Sequence, residues 1–165
     1  MKRISLTLCL AFLTVLFCQA QVAPLKFNKN GEFKIVQFTD IHFQYHNPAS
    51  AIALKRINEV LDAERPDLIV FTGDVVYAPP ADTAMRAVLD CASSRKIPFV
   101  VTFGNHDNEQ GKTRAELYDI IRSMPYNIQP DRGSVESPDY VLTVKSSDGK
   151  KDASVLYCLD SHSYS

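Results

Sequence analysis

DLIVFTG, residues 67–73, is a nearly unbroken apolar run that ends in glycine and is followed at once by Asp74. A strand has this form when both of its faces are buried, because polar alternation is lost once each side packs against something. Outward from it, residues 33–40 (FKIVQFTD) and 97–103 (IPFVVTF) are two further β-rich runs. In the first gap, Asn47-Pro48 supplies an N-cap and a first-turn proline. Leu54, Ile57 and Leu61 then lie three and four apart, and Pro66 stops the implied helix near Glu64. In the second gap, Pro79-Pro80 breaks the chain and a helix is expected over about residues 82–93. Strands alternating with helices imply a parallel sheet.

Thr113 and Glu116 form a capping-box pattern for a third helix running to about Met124. Beyond Pro130 the pattern changes: residues 140–145 and 154–159 are strand-like and are joined by Ser146-Ser147-Asp148-Gly149, a hairpin turn signal. No linker, repeat or charge block interrupts the chain, so one α/β unit is expected. With 165 residues, 45% of them apolar and 22% charged, disorder and low complexity are excluded. Eighteen basic against nineteen acidic side chains leave a charge of -1, with no basic excess to bind nucleic acid or an anionic membrane.

The first twenty residues read differently. Lys2 and Arg3 precede an apolar core over residues 6–17, and Cys18-Gln19-Ala20 places small residues at the third and last positions before Gln21. This is the pattern of a secretory signal peptide cleaved after Ala20; the core is shorter than the roughly 20 apolar residues a bilayer span needs. A secreted or periplasmic location is therefore expected, with residues 21–165 as the mature domain and no membrane attachment after cleavage. Cys9 and Cys18 leave with the signal. Cys91 and Cys158 remain and read as buried small apolar residues, with a single bridge between them left open.

Asp40, Asp74 and Asn105 each stand at the carboxyl end of a predicted strand, 34 and then 31 positions apart. Ligands of open parallel sheets bind at that edge, so these three oxygen-bearing side chains are expected to meet in space. His42 lies two residues after Asp40, His106 and Asp107 follow Asn105, and Gly73 and Gly104 give the backbone room to turn.

Asp40-Ile41-His42, Gly73-Asp74 and Gly104-Asn105-His106-Asp107 together resemble the first three motifs of the calcineurin-like metallophosphoesterases. Within that superfamily, FKIVQFTDIHF, ERPDLIVFTGD and GNHDNEQ are most similar to the secreted branch related to purple acid phosphatases. The resemblance implies the N-terminal part of an αββα sandwich: a βαβαβ unit plus a hairpin that starts a second sheet. It also implies two divalent or trivalent metal ions, Mn, Fe or Zn, and hydrolysis of a phosphate ester. Carried over, Asp40 and His42 would bind the first ion, Asp74 would bridge, and Asn105 would bind the second. His106 would act on the substrate, with Asp107 holding its ring. Tyr77 matches the position of the iron-binding tyrosine of purple acid phosphatases. Because His42 stands where that group has glycine, Tyr77 is expected to pack beside the metals instead.

Family members carry further metal-binding histidines, including a Gly-His-x-His motif, and this sequence has none before Ser165. The domain is therefore expected to be truncated and weak as an enzyme by itself. A catalytically incomplete secreted fragment with a metal- or partner-binding role is the alternative. Monoesters, diesters and nucleotides all stay open as substrates, and His46 and His162 are expected at the rim or in structural roles. Intact-mass analysis of the exported protein should find Gln21 as the first residue; retention of residues 1–20 would contradict the cleavage.

Overall fold

The computed structural model describes residues 22–163, so the signal segment expected at 1–20 lies outside them. Three strands, β1 (Ile35–Phe38), β2 (Leu68–Thr72) and β3 (Phe99–Thr102), form a parallel sheet with β2 in the middle. Ile35 pairs with Leu68, and Ile69 with Phe99.

Each crossover is helical for the local reasons the sequence supplies. The Asn47 side chain accepts the Ala49 N–H at 3.0 Å and starts a 3-10 turn, Pro48–Ser50, which runs into α1 (Ala51–Glu64). That helix ends at Arg65 in the left-handed conformation, one residue before Pro66. The second crossover is α2 (Ala81–Ser93). After β3, Thr113 caps α3 (Arg114–Arg122): its hydroxyl accepts the Glu116 N–H, and the Glu116 carboxylate accepts the Thr113 N–H at 2.9 Å. The backbone donation from Thr113 holds the Glu116 carboxyl below its usual range.

Two antiparallel strands follow, β4 (Tyr140–Lys145) and β5 (Asp152–Cys158), with Tyr140 opposite Cys158. Gly149, at φ 76°, donates its N–H to the Ser146 carbonyl and closes the hairpin. β5 starts earlier than the sequence reading has it, because an irregularity between Val144 and Lys145 brings Asp152 opposite Lys145.

Both faces of β2 are covered, which is why its sequence does not alternate. Ile69 and Phe71 pack on one side with Ile57 and Leu61 of α1, Met85 and Leu89 of α2, and Leu117 and Ile121 of α3. Leu68 and Val70 face the other way, against Val100, Tyr140, Leu142 and Val144. The Tyr140 hydroxyl donates to the Val101 carbonyl at 3.1 Å, tying the hairpin to the sheet. Each large side chain buried this way contributes about 1.5–3 kcal/mol of transfer free energy. Helices, parallel sheet and a hairpin on the opposite face give the layered α/β arrangement expected of a partial metallophosphoesterase fold. Cys91 and Cys158 are both free and buried, and they sit in the cores on opposite sides of the sheet. Among the described residues, no helix is long and apolar enough to cross a membrane.

Candidate metal centre

Parallel pairing between β1 and β2 does not stop at the strand ends. Asp40 N–H donates to the Gly73 carbonyl at 3.1 Å, His42 N–H to Asp74 at 2.8 Å, and Phe43 N–H to Val75 at 3.0 Å. The two exit loops therefore run side by side, which carries Asp40, His42 and Asp74 to one place. On the other flank, the exits of β2 and β3 touch through glycines. A Cβ on Gly73 would lie 2.5 Å from the Gly104 nitrogen, and one on Gly104 would lie 2.1 Å from Asp74 Oδ1. No side chain fits at either position.

The ligand atoms offered by Asp40, His42 and Asp74 all lie within 4.8 Å of one another. His42 Nε2 is 3.5 Å from Asp74 Oδ2 and 3.9 Å from Asp40 Oδ1. The 3.5 and 3.9 Å separations suit donors that share one ion at about 2.0–2.2 Å, which makes the three side chains a candidate cation site with mixed oxygen and nitrogen ligands. Their backbones are constrained as well: Asp40, His42 and Asp74 have φ of 50°, 48° and 50°, in the left-handed region. Asp and His tolerate that region better than most residues, and three such residues in one cluster mark a site where local strain is held by surrounding structure. Asp74 is nearly buried, its Oδ1 fixed by the His106 N–H at 2.9 Å, while Asp40 is open to solvent and braced by the Thr39 hydroxyl at 2.6 Å.

Asn105 lies between two residues that meet Asp74, Gly104 at its backbone and His106 through its N–H, which places it on the β3 side of the same cluster. The His106 ring stands 5.7 Å from that of His42, and Tyr77 packs edge-on against both, at 4.7 Å from His42 and 5.2 Å from His106. Tyr77 thus stands beside both imidazoles as the third ring of an aromatic triangle. His46 packs edge-on against Tyr45, and the His162 backbone N–H donates to Asp160.

Asp107 requires a correction. It does not hold the His106 ring. It has no exposed surface, and its two oxygens accept backbone N–H groups from Asp74, Val75, Val76 and Gly104 at 2.8–3.1 Å. Burial pushes its carboxyl up, against these amide bonds, which favour the charged form. The carboxylate at the His106 Nδ1 is Glu109, 2.7 Å away, and that hydrogen bond raises the imidazole above its ordinary value.

A buried pair escaped the sequence reading altogether. Arg114 donates to both oxygens of Asp160, at 3.2 and 3.0 Å, and through its other terminal nitrogen to the Gly104 carbonyl at 2.9 Å. The Gly104 N–H meanwhile donates to Asp107, so the residue before Asn105 is pinned at both ends. The residue types alone carry one weak signal, an arginine opening a helix where a cation opposes the dipole.

Residues 33–160 match the family described as calcineurin-like phosphoesterase. Phosphatase DCR2 of Saccharomyces cerevisiae is 30% identical over 159 residues, covering 82% of this chain and 28% of the yeast protein. A probable inactive purple acid phosphatase 29 of Arabidopsis thaliana is 37% identical over 123 residues, covering 64% of this chain and 32% of the relative. An uncharacterized metallophosphoesterase, YkuE of Bacillus subtilis, is 36% identical over 78 residues, 46% of this chain and 27% of its own length. The chain thus spans about a third or less of these relatives.

Asp107→Asn is expected to destabilise the fold by about 3 kcal/mol or more. Either orientation of the amide sets an NH2 group against two backbone donors in a buried place. Asp40→Asn, at an exposed position, should shift stability by no more than about 0.5 kcal/mol. Urea denaturation of the two variants separates them, and equal midpoints would show that Asp107 is not the anchor.

Proposed function

The chain belongs to the calcineurin-like phosphoesterase family, and we propose that its strand-end cluster is one half of a two-metal centre that hydrolyses phosphate esters. The observation that carries this reading is the convergence of Asp40, His42 and Asp74 within 4.8 Å, all on left-handed turns at the carboxyl edge of a parallel sheet. In the proposed arrangement Asp40 and His42 hold the first ion, Asp74 lies between the two, and Asn105 serves the second. An oxygen and nitrogen donor set without thiolate suits Mn, Fe or Zn. When bound, such a pair of cations activates water and offsets charge on the phosphoryl oxygens.

The chain's own residues do the rest. Asp74, nearly buried and fixed at Oδ1, presents Oδ2 toward His42 without needing to reorganise. His106 holds a proton at the edge of the cluster, where it meets a phosphoryl or leaving-group oxygen. Tyr77 limits access from one side and restricts both imidazole rings. The signal-like amino terminus supports a setting outside the cytoplasm. A second reading, metal binding without turnover, draws support from the relatives in Arabidopsis that are named probable inactive.

The test, made in a full-length form that supplies both halves of the centre, combines elemental analysis after loading with Mn, Fe or Zn and an assay with an activated aryl phosphate. Asp74→Ala should lose metal. His106→Ala should keep it while turnover falls by about 10²- to 10⁴-fold. Metal retained without turnover in the unmodified protein selects the second reading. Loss of metal in His106→Ala as complete as in Asp74→Ala would overturn the role given to His106.

A further inference from the structure

His106 reaches the cluster on a turn whose geometry also fixes what lies behind its ring. Asp107–Glu109 form a single 3-10 turn, and Glu109 N–H donates to the His106 carbonyl at 3.1 Å. In a 3-10 turn, side chains three apart stand one above the other, which brings the Glu109 carboxylate under the imidazole. Its Oε2 lies 2.7 Å from Nδ1. The turn is held in place because Asp107, its first residue, is locked to the exits of β2 and β3 by four amide donors. Tyr77 packs edge-on at 87° against the same ring and opposes its rotation.

An ionised carboxylate accepts hydrogen bonds and cannot donate them, so the proton in this contact belongs to Nδ1. Nε2, on the opposite side of the ring, is then the nitrogen left for substrate. We propose that Glu109 is the positioning residue of the site: it keeps a proton on His106 Nδ1, the Nδ1–H tautomer when the ring is neutral, so that Nε2 is the nitrogen that takes up and delivers the proton to the phosphate ester. This rests on the hydrolase reading above for its purpose, though not for its geometry. Both side chains are partly open to solvent, so the contribution to folding is small. What the pair supplies is orientation, as an outer hydrogen bond does for a metal-bound or catalytic imidazole.

The tautomer can be read directly, without metal and without turnover. Long-range proton–nitrogen NMR correlations of the full chain, labelled with 15N histidine and held at a pH where the ring is neutral, separate an Nδ1–H from an Nε2–H imidazole. The unmodified protein should show Nδ1–H at His106. Glu109→Gln should keep that form, because its amide oxygen still accepts, whereas Glu109→Ala should shift His106 toward the Nε2–H form. Unchanged signals from His46 and His162 verify that the fold is intact. An Nε2–H form in the unmodified protein, or an Nδ1–H form that persists in Glu109→Ala, would overturn the assignment. In the metal-loaded protein, Glu109→Ala should lower kcat by about tenfold or more with little change in KM, and Glu109→Gln should recover part of it. A KM effect alone would count against a role through His106. Absence of phosphate-ester turnover in a form that supplies both halves of the metal centre would refute the hydrolase reading and leave the tautomer result to decide this one.

Discussion

A fully buried carboxylate ties two strand exits together. Asp107 accepts N–H groups from three consecutive residues after β2 and from Gly104 after β3, and among the described residues no other polar or charged side chain is so fully enclosed. A charge removed from water is strongly unfavourable unless its hydrogen bonds are replaced, and here four backbone donors replace them. The consequence is geometric. With these amides turned toward Asp107, the backbone at Asp74 enters the left-handed region and its side chain is carried toward His42, while Gly73 and Gly104 approach too closely for a Cβ on either. The same turn sets His106 above Glu109. The Asp40, His42 and Asp74 cluster, the His106 ring and the Glu109 carboxylate beside it therefore share one anchor.

The hairpin side of the sheet braces that anchor from behind. Asp160 follows β5 closely, and its buried pairing with Arg114 reaches the Gly104 carbonyl. Removing either partner alone would leave an uncompensated buried charge, so this link is stiff although its net contribution to stability is modest. Carboxylates of Asp40 and Asp74 brought this near each other repel, and that repulsion is relieved when a cation sits between them. In the proposed metal centre, that relief is how a folded scaffold would turn local strain into cation affinity.

The strands, helices and hairpin could be read from sequence because each has a local cause: the unbroken run at 67–73, the stripe of Leu54, Ile57 and Leu61, the Thr113 and Glu116 box. The meeting of Asp40, His42 and Asp74 followed from topology, since parallel strands deliver their carboxyl ends to one edge. Asp107 misled, because adjacency to His106 in the chain says nothing about which way a buried carboxylate faces. Glu109 was hidden for the converse reason: its partnership with His106 exists only if residues 107–109 form a 3-10 turn, and no periodicity announces a turn that short. Arg114 and Asp160 are 46 residues apart on different elements, and an ion pair of that kind leaves no pattern in a single sequence. Local order and the convergence at the strand ends were readable, and the non-local polar contacts that topology does not dictate were not.

Anomalous diffraction at the zinc edge, from crystals grown with zinc, decides whether Asp40, His42 and Asp74 hold a metal ion. A single strong peak is expected about 2.0–2.2 Å from the Asp74 carboxylate and the His42 ring, with Asp40 completing the contact. Crystals that take up zinc elsewhere while the cluster shows no anomalous density would contradict metal binding there.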